Sequence, residues 1–178
     1  MSKMLQIGLI GAGRIAQAHA ATVAYRISNA QLAAVTDPIA AAAQSIAAKF
    51  SIPTIAPNYQ AILADPRIDA ILICTPTDTH AEIMKASARA GKQIFCEKPV
   101  ALTLAATDDA LKVVNESGVK LQLGFNRRFD ANYARVRKAI TNGEIGTPRI
   151  LHIISRDPAP PPISYVKTSG GIFLDMTI

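Results

Sequence analysis

A chain of 178 residues, 49% hydrophobic and 18% charged, is too apolar to be disordered and long enough for one full domain and part of a second. Its net charge of +6 is scattered: only "NRRF" (126–129) and "YARVRKAI" (133–140) are locally basic, and neither interleaves stacking aromatics, so no nucleic-acid partner is expected. The N-terminus enters a short apolar strand without a signal-peptide pattern, no run reaches transmembrane length, and the 2 cysteines, Cys74 and Cys96, form no CxxC or metal-ligand spacing. A cytoplasmic chain with reduced core thiols, no membrane partner and no metal is expected.

Short apolar runs then alternate with amphipathic or Ala-rich stretches, the pattern of parallel strands and crossover helices. The strands are expected at "MLQIGLI" (4–10), "QLAAVTD" (31–37), "PTIA" (53–56), "DAILICT" (69–75), "KQIFCE" (92–97) and "VKLQLGF" (119–125). Helices are expected at 14–27, 38–50, 58–64, about 77–90 and 104–117. Continuous apolar strands fit a sheet covered on both faces, so residues 1–124 read as an α/β, doubly wound parallel sheet. After Phe125 a charged helix (128–141) precedes a strand over "PRILHIISRD" (148–157) and an extended "PAPPP" (158–162), the incomplete start of a second α/β domain over 125–178. Gly170-Gly171 precede a further short helix that carries Asp175.

Three segments at strand ends carry candidate chemistry. "IGLIGAGRIAQAHA" (7–20) runs a strand into Gly11-Ala12-Gly13-Arg14-Ile15-Ala16, a GxGxxA turn. Gly11 permits the tight turn, Gly13 lets the backbone approach a pyrophosphate, and the opening of the next helix, with Arg14 and Ile15, receives it. The second strand ends in Asp37, placed to accept from a ribose 2′-hydroxyl, and no arginine follows to take a 2′-phosphate, which favours NAD over NADP. A plain glycine turn with Asp37 as a helix cap, or a methyltransferase nucleotide site, is the competing reading. In "CTPTDTHAE" (74–82), Thr75, Pro76 and His80 lie where open α/β sheets bind ligands, although Thr77 or Asp78 could simply cap a helix that carries His80 on its surface. In "CEKPV" (96–100), Glu97 and Lys98 stand at the same sheet edge; a lysine there can hydrogen-bond a hydroxyl that becomes a carbonyl, while a solvated surface pair is the bland alternative.

Together, the GxGxxA turn, Asp37, "TPTDTH" (75–80), "EKP" (97–99), "GFNRRFD" (124–130) and "GGIFLDMTI" (170–178) resemble the Gfo/Idh/MocA oxidoreductases, and among them the inositol 2-dehydrogenases. The resemblance implies a Rossmann-type domain binding NAD, a small polyol substrate, and a homo-oligomer for the full-length form. It makes Lys98 catalytic, Glu97 a cofactor contact, and Arg127 and Asp157 substrate contacts. It also makes Asp175 the carboxylate of an Asp-x-x-x-His dyad, whose histidine falls at position 179, one place beyond Ile178. The expected activity is oxidation of a cyclic polyol, myo-inositol first. Another sugar substrate, or a nucleotide-binding module without turnover, is the alternative.

Overall fold

The structure, a computed structural model, describes residues 3–156 and 159–176. Its 6 strands are β1 (Leu5–Ile10), β2 (Ala30–Thr36), β3 (Thr54–Ile55), β4 (Ala70–Ile73), β5 (Gln93–Cys96) and β6 (Leu121–Leu123). They form one parallel sheet in the order β3-β2-β1-β4-β5-β6. The connecting helices are α1 (Arg14–Arg26), α2 (Ala40–Phe50), α3 (Tyr59–Ala64), α4 (Thr77–Arg89) and α5 (Leu104–Ser117).

The pleat sends alternate residues to opposite faces, and the apolar runs therefore feed two cores. Leu9, Leu72 and Cys74 pack with Ala16, Ala20 and Val23 of α1 and Ile46 of α2. Ile10, Ile71, Ile73 and Cys96 pack instead with Ile62 of α3, Met84 of α4 and Ala110 and Val114 of α5. Ile73 is fully buried, and its truncation to Ala should cost about 2–5 kcal/mol. Both cysteines are free and buried, and burial pushes their thiols far above the ordinary range. Among the described residues no helix is long and apolar enough to cross a membrane.

Capping follows local chemistry. Asn58 and Thr103 accept from the N–H groups of Ala61 and Ala106 at the starts of α3 and α5, and Gly118 closes α5 in the left-handed region. By contrast α1 and α4, which open at the carboxyl ends of β1 and β4, have no side-chain cap, so no capping side chain occupies the N–H groups that open them.

The strand expected at 148–157 does not form among the described residues. Ile150, Leu151, Ile153 and Ile154 are 89%, 73%, 61% and 68% exposed, because an apolar segment without a neighbouring strand has nothing to receive its backbone groups. The charged helix starts later than expected: a 3₁₀ turn (Asn126–Phe129) precedes α6 (Ala131–Thr141), since the Asp130 carboxylate accepts from the N–H groups of Asn132 and Tyr133 and fixes the start there. A helix not foreseen, α7 (Ile163–Ser169), follows Pro162 and ends at left-handed Gly170. The turn carrying Asp175 is a π-helical segment, Ile172–Met176.

Candidate functional site

The carboxyl ends of β1 and β2 build the first half of the site. Gly11 holds φ +97°, and a Cβ there would lie 2.5 Å from the Cys74 carbonyl oxygen, so the turn can press against the end of β4 only as glycine. Gly13 is exposed, and a Cβ on it would meet nothing within 4 Å, which leaves its backbone open to a ligand. Arg14 and Ile15 are exposed on the first turn of α1.

Asp37 does more than its position at the end of β2 suggests. Its Oδ2 accepts from the Ala12 N–H at 2.7 Å and its Oδ1 from the Ile39 N–H at 2.8 Å, tying the glycine loop to the start of α2. A carboxylate offers about four acceptor positions, so two remain for a ribose diol. The open Gly13 backbone, the uncapped helix and this half-used carboxylate fit a dinucleotide.

The ends of β4 and β5 build the second half. Thr75 and Pro76 follow β4, and the Thr79 hydroxyl lies 2.7 Å from both Thr75 Oγ1 and the Pro76 carbonyl. His80 is 1% exposed, with Nδ1 2.8 Å from the Pro99 carbonyl and Nε2 2.9 Å from the Thr75 carbonyl. It therefore acts on the site through the backbone it holds, bracing "TPT" against the cis Lys98-Pro99 peptide.

Lys98 and Asp175, 77 residues apart, meet directly. Lys98 Nζ donates to Asp175 Oδ1 at 2.8 Å and to the Asp175 backbone carbonyl, leaving one ammonium hydrogen for a ligand. Asp175 is 4% exposed, and its Oδ2 accepts from the Tyr165 hydroxyl at 2.8 Å. Burial, together with that hydrogen bond to Asp175, pushes the Tyr165 phenol up to about 12 from 10.0. Tyr165 belongs to none of the motifs; only its place between Pro162 and Gly170, which frame a short helix, signalled that the segment was ordered.

Glu97 points toward α1, where its Oε1 accepts from His19 Nε2 at 2.5 Å. Sequence reading passed over His19, although it falls three residues after buried Ala16 and four before buried Val23, on the apolar stripe of α1. Arg127 is exposed, held by the Tyr133 hydroxyl and Ser155 Oγ at 3.3 Å each. Asp157 lies outside the described residues.

Residues 5–125 match the Gfo/Idh/MocA family, described as an oxidoreductase family with an NAD-binding Rossmann fold. The chain is 50% identical over 174 residues to an inositol 2-dehydrogenase of Rhizobium meliloti, covering 98% of this chain and 52% of that protein. It is 43% identical over 174 residues to a myo-inositol 2-dehydrogenase of Thermotoga maritima, with the same coverage of 98% and 52%. A scyllo-inositol dehydrogenase from Lactobacillus casei, solved with NAD(H) and scyllo-inositol bound, superposes with a TM-score of 0.77 at 30% identity, over 81% of this chain and 43% of that one. The chain thus spans about half the length of the curated relatives it matches. With the open glycine loop at the switch point of a parallel sheet and Asp37 at the end of the neighbouring β2, these matches make the chain a member of the Gfo/Idh/MocA oxidoreductase family, with NAD as its cofactor.

Proposed function

We propose that the chain carries the cofactor-binding part and two reacting groups of an NAD-dependent dehydrogenase that oxidises a ring carbinol of a cyclic polyol, myo-inositol first, to the ketone. The carrying observation is the contact of Lys98 with Asp175 at the sheet edge that also bears Thr75 and Glu97. NAD, when bound, supplies the hydride acceptor. Asp37 holds a ribose of the dinucleotide, and the Gly13 backbone and the first turn of α1 hold its pyrophosphate. The free hydrogen of the Lys98 ammonium is directed at the substrate oxygen, where it stabilises the charge that develops as the hydroxyl proton leaves. Asp175, oriented by Lys98 and Tyr165, is the partner of a histidine general base one helical turn further on, at position 179.

Residues 1–124 act in this reading as the nucleotide domain and 125–178 as the start of a substrate domain, in a cytoplasmic enzyme that works as a homo-oligomer without nucleic acid. Arg127 and Asp157 contact substrate there. A second reading, a nucleotide-binding module without turnover, is favoured by the exposure of every residue from Asn126 to Lys138. The two separate by experiment: NAD titration by calorimetry, followed by NADH formation with myo-inositol, in this chain and in one extended to its relatives' length. Binding with turnover in the longer chain supports the dehydrogenase; binding without turnover in either supports the module.

A further inference from the structure

His19 meets the site from the side of α1, and no motif assigns it a part. A carboxylate only accepts, so the proton of this contact sits on His19 Nε2 and is donated to Glu97 Oε1. The ring is fixed on a second side by Phe95, edge to face with centroids 5.1 Å apart. Both contacts come from the end of β5, immediately before Lys98. The Glu97 side chain is 14% exposed, and its other face is closed by Gly124, where a Cβ would stand 2.8 Å from Oε2. The carboxylate is therefore wedged between α1 and the end of β6, with His19 as the side chain that meets it among the described residues.

The dinucleotide straddles the switch point between β1 and β4. Asp37 at the end of β2 engages one half, so the nicotinamide half falls to the ends of β4 and β5, over Thr75 and Glu97. Resting on the cofactor reading above, we infer that His19 is a positioning residue for the nicotinamide half of NAD: by holding Glu97 it sets the end of β5 against α1, the helix whose first turn holds the pyrophosphate. Without this donor, Glu97 is released beside Lys98, and its carboxylate competes with Asp175 for the ammonium.

The test is calorimetric titration of this chain with NAD and with ADP-ribose, which lacks the nicotinamide ring. His19→Ala and His19→Leu should each weaken NAD about tenfold, the loss of a hydrogen bond to a charged group, and leave ADP-ribose within about twofold. His19→Gln, whose amide can donate to Glu97, should recover most of the NAD affinity. A merely structural histidine gives another pattern: equal losses for both ligands, or a Gln variant no better than Leu, overturn the inference. Failure of the unsubstituted chain to bind either ligand would overturn the cofactor reading itself, and the inference with it.

Discussion

Replacing Asp37 with Ala should do two separable things. The first concerns the fold: Ala12 is 6% exposed, and its N–H loses the acceptor it meets at 2.7 Å, as does the Ile39 N–H at 2.8 Å. Leaving a buried donor unpaired costs about 1–3 kcal/mol, so the melting temperature should fall by roughly 3–10 °C, and both NAD and NADP should bind more weakly to the loosened glycine loop. The second concerns the ligand: only NAD has a free 2′-hydroxyl to lose a charged acceptor, whereas NADP is relieved of a carboxylate beside its 2′-phosphate. The preference for NAD over NADP should therefore drop by roughly 10- to 100-fold, the equivalent of one hydrogen bond to a charged group. Calorimetric titration with both cofactors, beside thermal unfolding, measures each part. An unchanged preference would remove Asp37 from ribose recognition; an unchanged melting temperature would refute its pinning of the loop.

Gly13→Val should abolish NAD binding with little change in melting temperature, because a Cβ there meets no protein atom; retained affinity in the same titration would refute the loop assignment. Tyr165, followed by NMR of ring-labelled tyrosine, should titrate near 12, and Asp175→Asn should lower that midpoint without bringing it fully to 10.0, since burial remains; no change in the variant would refute the hydrogen bond. Because the folded-state value is raised above the unfolded one, this group's contribution to stability is complete below about pH 10 and declines as the pH rises toward 12. Amides of residues 147–156 should exchange rapidly in a monomer, as Ile150 to Ile154 lie on the surface without strand pairing; slow exchange there would show that this segment pairs as a strand after all.

The sheet was legible because β1, β2 and β4 bury their carboxyl-terminal halves and read there as apolar runs, and because Asn58, Thr103 and Gly118 mark helix ends by their own chemistry. The segment "RILHIIS" shows the limit of that signal. Its residues have strand composition, but strand formation depends on a partner that no local pattern reveals. The glycine loop, Asp37 and Lys98 were legible as positions, yet their working contacts were not. That Asp37 would accept from Ala12, or His19 reach Glu97, depends on how α1 and β5 lie across the sheet. Tyr165 was hidden for the same reason: its part comes from Asp175, and the turn that brings them together is closed by a contact with Lys98, which follows β5.

The most direct test of the account is NADH formation from myo-inositol by a chain extended through position 179 to its relatives' length, compared with its Lys98→Met variant. The unsubstituted protein should form NADH, and the variant should lose roughly 10²- to 10⁴-fold in turnover while its NAD affinity stays within about twofold, as the proposed role of Lys98 at the substrate oxygen requires. Normal turnover in the variant, or no NADH from any cyclic polyol with the unsubstituted protein, would contradict the assignment of this edge as the place where a polyol is oxidised.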